Sequence, residues 1–173
     1  AERAIEELSE GQVAFFDAGT TTMEVARKVP KDGTILGVTN SPRLAIELNE
    51  EDNEVKLTGG TLRRRTKALV GPTAEAFMQR TNFDVLFLGT NGVDIESGLT
   101  TPNEDEARMK ELMVEKSANV VLVADASKFG RRSFVKFASL EDIDLLITDD
   151  ELDPATREEI TNAGVDVVDG VAR

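Results

Sequence analysis

The chain has 173 residues, 40% of them apolar, and a formal net charge of −13, which fits a single domain with enough apolar material for a core. It contains no Cys, His, Trp or Tyr, which excludes disulfides, thiolate chemistry, a Ser-His-Asp triad and most transition-metal sites. So acidic a composition argues against these residues binding nucleic acid, and its surplus of Arg over Lys points to a high-salt habitat.

In chain order, residues 1–10 read as a helix ahead of the first strand, the end of a connecting segment, and residues 11–173 as one domain. Short runs, mostly β-branched and apolar on both faces, follow at 13–17, 34–38, 54–57, 83–89, 119–125, 143–148 and 165–168. Such runs suit strands covered by helices on both sides. Amphipathic segments lie between them at 22–29, 42–49, 73–80, 103–116 and 154–163, with apolar residues at three- or four-residue spacing. Thr21 with Glu24 and Thr101 with Glu104 fit capping boxes, while Ser41-Pro42 and Asp153-Pro154 fit an N-cap followed by proline. The alternation predicts an α/β fold built on a doubly wound, mainly parallel sheet. Two stretches, 90–102 and 126–133, carry no clear pattern and read as loops beside strand ends. No run reaches the ~20 apolar residues of a bilayer span and no signal-peptide pattern opens the chain, so a soluble, cytoplasmic protein is expected.

The chemistry left to this composition rests on carboxylates, Lys, Arg, hydroxyls, amides and backbone N–H groups. Asp17, Gly19, Thr20, Thr21 and Thr22 follow the first strand and open a helix. That pattern suits an anion held on helix N–H groups, or a plain strand-to-helix turn with a cap. Thr39 and Asn40 end the second strand, and Gly59, Gly60 and Arg63 follow the third. The glycine pair lets a ligand approach the main chain, and Arg63 suits phosphate or carboxylate. Its neighbours Arg64 and Arg65 read as a salt-bridging or subunit-contact surface. Thr100 and Thr101 lead into a helix bearing Glu104, Glu106 and Lys110, and Asp125 and Lys128 follow the most apolar strand. In a parallel sheet all these positions fall at carboxyl ends of strands, where open α/β sheets place ligands. Together they describe an anionic, polyhydroxylated ligand.

These motifs, in order FFDAGTTT, GVTNSPRLAIEL, LTGGTLRRRTKALVGPTAE, FDVLFLGTNGVD, SGLTTPNEDEARMK, VLVADASKFGRRSF and DIDLLITDDEL, resemble the C-terminal effector domain of the DeoR family of transcriptional repressors. The resemblance covers nearly the whole chain. It implies a sensor domain related in fold to ribose-5-phosphate isomerase and the CoA-transferase group. It also implies a DNA-reading winged helix-turn-helix upstream, outside this chain, and repression relieved or modulated by a phosphorylated sugar or related metabolite. With the acidic composition, the likeness is greatest to haloarchaeal regulators of fructose, glucose or glycerol metabolism. Carried onto matching positions, Asp17, Gly19, Thr20, Thr21 and Thr22 become the first phosphate or sugar loop. Thr39, Asn40, Gly59, Gly60, Arg63, Thr100, Thr101, Glu106, Asp125 and Lys128 complete the pocket. Lys128 and Arg63 are assigned to ligand anion charge, Asp17 and Glu106 to sugar hydroxyls. Ala18 stands where the family more usually has Ser.

No cofactor, metal or catalytic residue is expected, and the partners expected are the effector, other copies of the chain in a homo-oligomer, and DNA through the missing segment. A sugar-phosphate isomerase is the main alternative. Isomerases of this fold carry an Asp-Gly-Ala-Asp type loop after the central strand, whereas residues 89–94 here read GTNGVD, leaving Asp94 alone. An assembly module with a vestigial pocket is the third reading, with Ala4, Ile5 and Leu8 available for a contact.

Overall fold

A computed structural model describes residues 1–170, so the last residues of the domain expected over 11–173 lie outside the described part. All seven apolar runs become strands of one sheet: β1 (Val13–Phe16), β2 (Leu36–Thr39), β3 (Val55–Leu57), β6 (Phe83–Leu88), β9 (Ser117–Val123), β11 (Leu145–Thr148) and β12 (Asp166–Asp169). Their order is β12-β11-β9-β6-β1-β2-β3, and every pairing between neighbours is parallel.

The pleat explains why these strands are apolar throughout. Phe15, Leu86, Leu88, Val120, Leu122 and Leu146 face one core, and Ala14, Phe16, Val85, Phe87, Val121 and Ile147 the other. Alternate residues thus point to opposite faces, and both faces are covered. Each face holds one tilted aromatic pair, Phe15 with Phe83 at 4.9 Å and Phe16 with Phe87 at 5.1 Å between ring centres. Helices α1 (Glu2–Ile5), α2 (Thr20–Ala26) and α3 (Pro42–Leu48) supply Ala4, Val25, Ala26, Leu44 and Leu48 to the second core. Helices α4 (Pro72–Gln79), α5 (Glu104–Glu115) and α6 (Pro154–Asn162) supply Met78, Met109, Leu112, Met113 and Ile160 to the first. Among the described residues no helix is long and apolar enough to cross a membrane.

Several local expectations change. The opening helix spans only Glu2–Ile5: beyond it Glu7 and Leu8 N–H donate to carbonyls three residues back, at 3.1 and 3.0 Å, and Ser9 N–H donates to Gln12 Oε1 at 2.9 Å instead of continuing the helix. Its apolar face is spent within the chain: Ala4 is fully buried, and Ile5 and Leu8 pack against the same core. Ser41 and Asp153 cap α3 and α6 as expected, accepting from Leu44 N–H and Thr156 N–H. Neither Thr capping box forms. Gly19 is the N-cap of α2 and Thr21 lies inside that helix. Thr101 ends a strand, and Asn103 caps α5 by accepting from Glu106 N–H at 3.0 Å.

The stretch 90–102 is not a loop. It forms a hairpin of β7 (Gly92–Asp94) and β8 (Gly98–Thr101), to which β10 (Val135–Ala138) adds, giving a three-stranded antiparallel sheet ordered β10-β8-β7. Val93, Leu99, Phe137 and Ala138 bury this small sheet against the α5 side of the main sheet. A second hairpin, β4 (Thr61–Leu62) with β5 (Leu69–Val70), carries the basic run 63–67 in its turn. The stretch 126–133 opens with a 3-10 turn at Ala126–Lys128 capped by Asp125.

Candidate functional site

The main sheet reverses direction between β1 and β6: β2 and β3 extend one side, and β9, β11 and β12 the other. At such a reversal the connections leave in opposite directions and a crevice opens beyond the carboxyl ends of the strands. Asp17 leaves β1 at this point and Gly89 leaves β6. Asp17 is 1% exposed. Its Oδ2 accepts from Gly89 N–H at 3.0 Å and from the ammonium of Lys110 on α5. Lys110 also donates to the Gly89 carbonyl at 3.0 Å and sits 5.4 Å from the centre of the Phe137 ring. A buried ion pair persists only where further hydrogen bonds replace lost water, and each of these ions has one. Asp17, expected at sugar hydroxyls, is thus tied first to Lys110.

Around this pair the expected residues divide into those already committed and those left open. Thr22 donates to the Asp17 carbonyl at 2.5 Å and to the Gly19 carbonyl at 3.0 Å, fixing the turn into α2. Thr39 donates to the Phe16 carbonyl at 2.7 Å, and Asn40 joins two segments, accepting from Ala18 N–H at 3.2 Å and donating to the Leu69 carbonyl at 3.3 Å. Thr20 and Thr21 stand at the start of α2, where the first-turn N–H groups lie free of helical acceptors. Gly19 is at φ 170, ordinary extended backbone, so this turn does not depend on glycine's freedom.

Gly59 and Gly60 behave differently from each other. A Cβ at Gly60 would lie 2.6 Å from the Val70 carbonyl and 2.9 Å from Ala74 Cβ. The missing side chain therefore lets the β4–β5 hairpin pack on α4, and makes no room for a ligand there. Gly59 has only Thr73 within contact distance. Arg63, expected at ligand anion charge, and Glu106, expected at sugar hydroxyls, pair with each other at 2.6 Å. The pair ties the basic hairpin to the first turn of α5. Arg64 and Arg65 are exposed in that hairpin.

Thr100 and Thr101 are buried in β8. Thr100 Oγ1 accepts from Ser133 N–H at 2.8 Å, and Thr101 donates to Asn91 Oδ1 at 2.9 Å. Their hydroxyls hold the small sheet against its loops. Asp125 accepts from Ser127 N–H at 2.9 Å and shapes the turn carrying Lys128. Lys128 is half-buried and forms no ion pair among the described residues.

Three residues were not named as site residues by sequence reasoning. Lys110 lies in the buried stripe of α5 with Ala107, Met109 and Met113; a cation at such a position needs a buried counter-charge, and that was the available signal. Thr148 ends β11 and Asp149 follows it at the same sheet edge, but nothing in DLLITDD separates them from an ordinary strand end.

Asp94 fills a structural role. Its Oδ1 accepts from Ser97 N–H at 2.8 Å and Glu96 N–H at 3.1 Å, and its Oδ2 meets Arg132 Nε at 3.0 Å. The Ser97 N–H first, then Arg132, holds its pKa below the ordinary carboxylate value. A depressed carboxylate adds stability that is present above the unfolded pKa of ~3.9 and is lost as pH falls through the folded value. Asp94→Asn is therefore expected to lower stability to urea at pH 7, with the gap from the parent closing below about pH 4. An equal gap at pH 3 and pH 7 would remove the ionised carboxylate from this account.

A doubly wound sheet with polar groups converging at its reversal is the layout of an α/β small-molecule-binding domain. Comparison with known proteins narrows that class: residues 1–150 match the family model for the DeoR C terminal sensor domain. The chain belongs to that family. It is 86% identical over 173 residues to the HTH-type transcriptional regulator GlpR of Haloferax volcanii, covering 100% of this chain and 68% of that protein. It is 33% identical over 150 residues to the glycerol-3-phosphate regulon repressor of Escherichia coli K12, covering 86% of this chain and 60% of that one. Among solved structures, ribose 5 phosphate isomerase A from Neisseria gonorrhoeae has a TM-score of 0.53 at 18% identity over 76% of this chain and 51% of its own. That likeness is one of fold.

Proposed function

We propose that this chain is the effector-sensing part of a transcriptional repressor of carbohydrate or glycerol metabolism, and that its effector is a phosphorylated sugar or polyol. The observation that carries the reading is Lys128, half-buried and without an ion pair among the described residues, in a turn at the same sheet edge as the first-turn N–H groups of α2. An uncommitted ammonium in a chain of net charge −13 is suited to an anionic ligand. Arg63, already oriented by Glu106, supplies a second cationic group that forms no other ion pair among the described residues. Sensor-domain membership and the regulator names of the relatives support the same reading.

DNA contact belongs, in this reading, to a winged helix-turn-helix outside this chain, which spans 68% of the Haloferax volcanii regulator and 60% of the Escherichia coli repressor. Assembly into a homo-oligomer completes it, with Arg64 and Arg65 on the contact surface. Turnover of a sugar phosphate is not part of it. An isomerase needs a carboxylate poised over the substrate carbon, and Asp94 is committed to its hairpin turn and to Arg132.

The test is a thermal-shift screen in molar salt against phosphorylated sugars and polyols and their unphosphorylated parents. A ligand at 100 times its Kd stabilises the fold by about 2.7 kcal/mol. A shift with one phosphorylated compound and none with its parent is expected, and Lys128→Ala should weaken that compound's binding by ~1.5–3 kcal/mol with little change in folding. Shifts that ignore phosphorylation, or an unchanged affinity in the Lys128 variant, would overturn the assignment.

A further inference from the structure

Arg63 and Glu106 are the two residues to which the sequence assigned different parts of a ligand, and in the ligand-free domain each occupies the other at 2.6 Å. Among the described residues this is also the only hydrogen bond or ion pair by which residues 63–67 reach beyond their own hairpin. The base of that hairpin is fixed independently. Leu69 N–H donates to the Asn40 carbonyl at 2.7 Å, and Gly60 lies too close to Val70 and Ala74 for a side chain. The turn itself has less support: Arg64, Arg65 and Thr66 are exposed, and Lys67 takes φ +58, a left-handed conformation uncommon for any residue but glycine. The pair stands within reach of a ligand, its side chains being 24% and 13% exposed.

We propose that the Arg63–Glu106 pair is an autoinhibitory clasp that sets which ligands the domain accepts. The inference rests on the reading of the chain as a sensor of phosphorylated metabolites. A ligand reaches the Arg63 guanidinium only by displacing the Glu106 carboxylate from it. A carboxylate ligand exchanges one monoanion for another and leaves Glu106 without its partner, so it gains nothing. A phosphate monoester carries a charge of about −1.5 to −2 at pH 7 and three acceptor oxygens for the guanidinium fork, and so displaces Glu106. The released carboxylate is acceptor-only and needs donors, which hydroxyls beside the phosphate supply. The clasp therefore opens to a phosphate and a nearby hydroxyl presented together, and stays closed to sugar acids and to alkyl phosphates. Lys128 draws in anions of either kind, and the choice among them falls to Arg63 and Glu106.

The test uses Glu106→Gln, which keeps the size of the side chain and removes its charge. Glu104→Gln removes the same charge from an exposed residue in the same first turn of α5 and leaves the clasp intact. Hydrogen exchange of the ligand-free proteins reads the clasp: amides of residues 63–67 are expected to exchange roughly tenfold or more faster in Glu106→Gln, and at the parent's rate in Glu104→Gln. Calorimetry reads the selection, with glycerol 3-phosphate and fructose 6-phosphate, the acids glycerate and gluconate, and propyl phosphate as ligands. The parent is expected to favour the tighter sugar phosphate roughly tenfold or more over its acid and over propyl phosphate. Glu106→Gln should lose most of that preference, because the acid and propyl phosphate gain affinity. Exchange at the parent's rate in Glu106→Gln overturns the clasp and leaves the sensor reading standing. An equal gain for propyl phosphate in Glu104→Gln also overturns it, since charge alone then accounts for the gain. If neither sugar phosphate binds the parent or Glu106→Gln, the sensor reading falls and the proposal with it.

Discussion

Lys110→Ala is expected to destabilise the fold by about 3–5 kcal/mol, the scale on which removing one partner of a buried ion pair acts. Asp17, 1% exposed in the parent, would keep only Gly89 N–H as a hydrogen-bond donor to its carboxylate. The loss reflects an uncompensated charge more than a missing attraction, so the double variant Asp17→Asn with Lys110→Met should recover most of it. Asn keeps an acceptor for Gly89 N–H, and Met refills the space over Phe137. Urea unfolding of the parent, Asp17→Asn, Lys110→Met and the double variant at one salt concentration closes the cycle, with Lys110→Ala measured alongside. A double variant as unstable as Lys110→Ala would mean that the pair contributes packing, not charge compensation. Because the pair is buried, its effect should vary little with salt, unlike that of the exposed pairs on helix surfaces.

Gly98→Ala should be nearly as damaging, at about 2–4 kcal/mol from a left-handed backbone and a steric clash together. Gly98 sits at φ +75, and a Cβ there would lie 2.3 Å from the Ala138 carbonyl. That atom is main chain in the adjacent strand and has no rotamer to yield. The variant strikes the β10–β8 pairing, which carries the strand bearing Thr100 and Thr101. It should therefore weaken effector binding as well as stability. Full stability and binding in Gly98→Ala would mean that β8 and β10 separate without consequence for the site.

The seven main strands were legible because a strand covered on both faces has to be apolar at consecutive positions. Val121, Leu122 and Val123 serve two cores in alternation, and a β-branched run this short suits a strand better than a helix. The small antiparallel sheet was not legible. Its strands β7 and β8 read Gly-Val-Asp and Gly-Leu-Thr-Thr, short, polar and glycine-bearing, and their pairing with β10 depends on a partner in a distant segment. Capping showed the same divide. Ser41 and Asp153 precede prolines that pin the helix start, whereas Thr21 and Thr101 match a spacing that the real starts at Thr20 and Glu104 leave unused.

The sheet edge that gathers the site followed from topology, since every motif after a parallel strand falls at one end. Partnerships within it did not follow. Arg63 and Glu106 are 43 positions apart and Asp17 and Lys110 are 93 apart, and nothing local in either segment names the other. That the Thr148 hydroxyl has no hydrogen-bond partner among the described residues is likewise a property of packing, invisible in a strand that ends like many others.

The pairing of β8 with β10 also bears on when the domain acquires its binding surface. Thr100 waits for Ser133, 33 residues further on, and between them the chain must lay down α5 and seat β9 in the main sheet. Long-range pairings of this kind close late, because the loop between them has to be ordered first. In a chain made from its amino end, β1, β2 and β3 are complete before either partner of that contact exists. Scaffold therefore precedes rim in time, and the small sheet is complete only after the domain has almost finished folding.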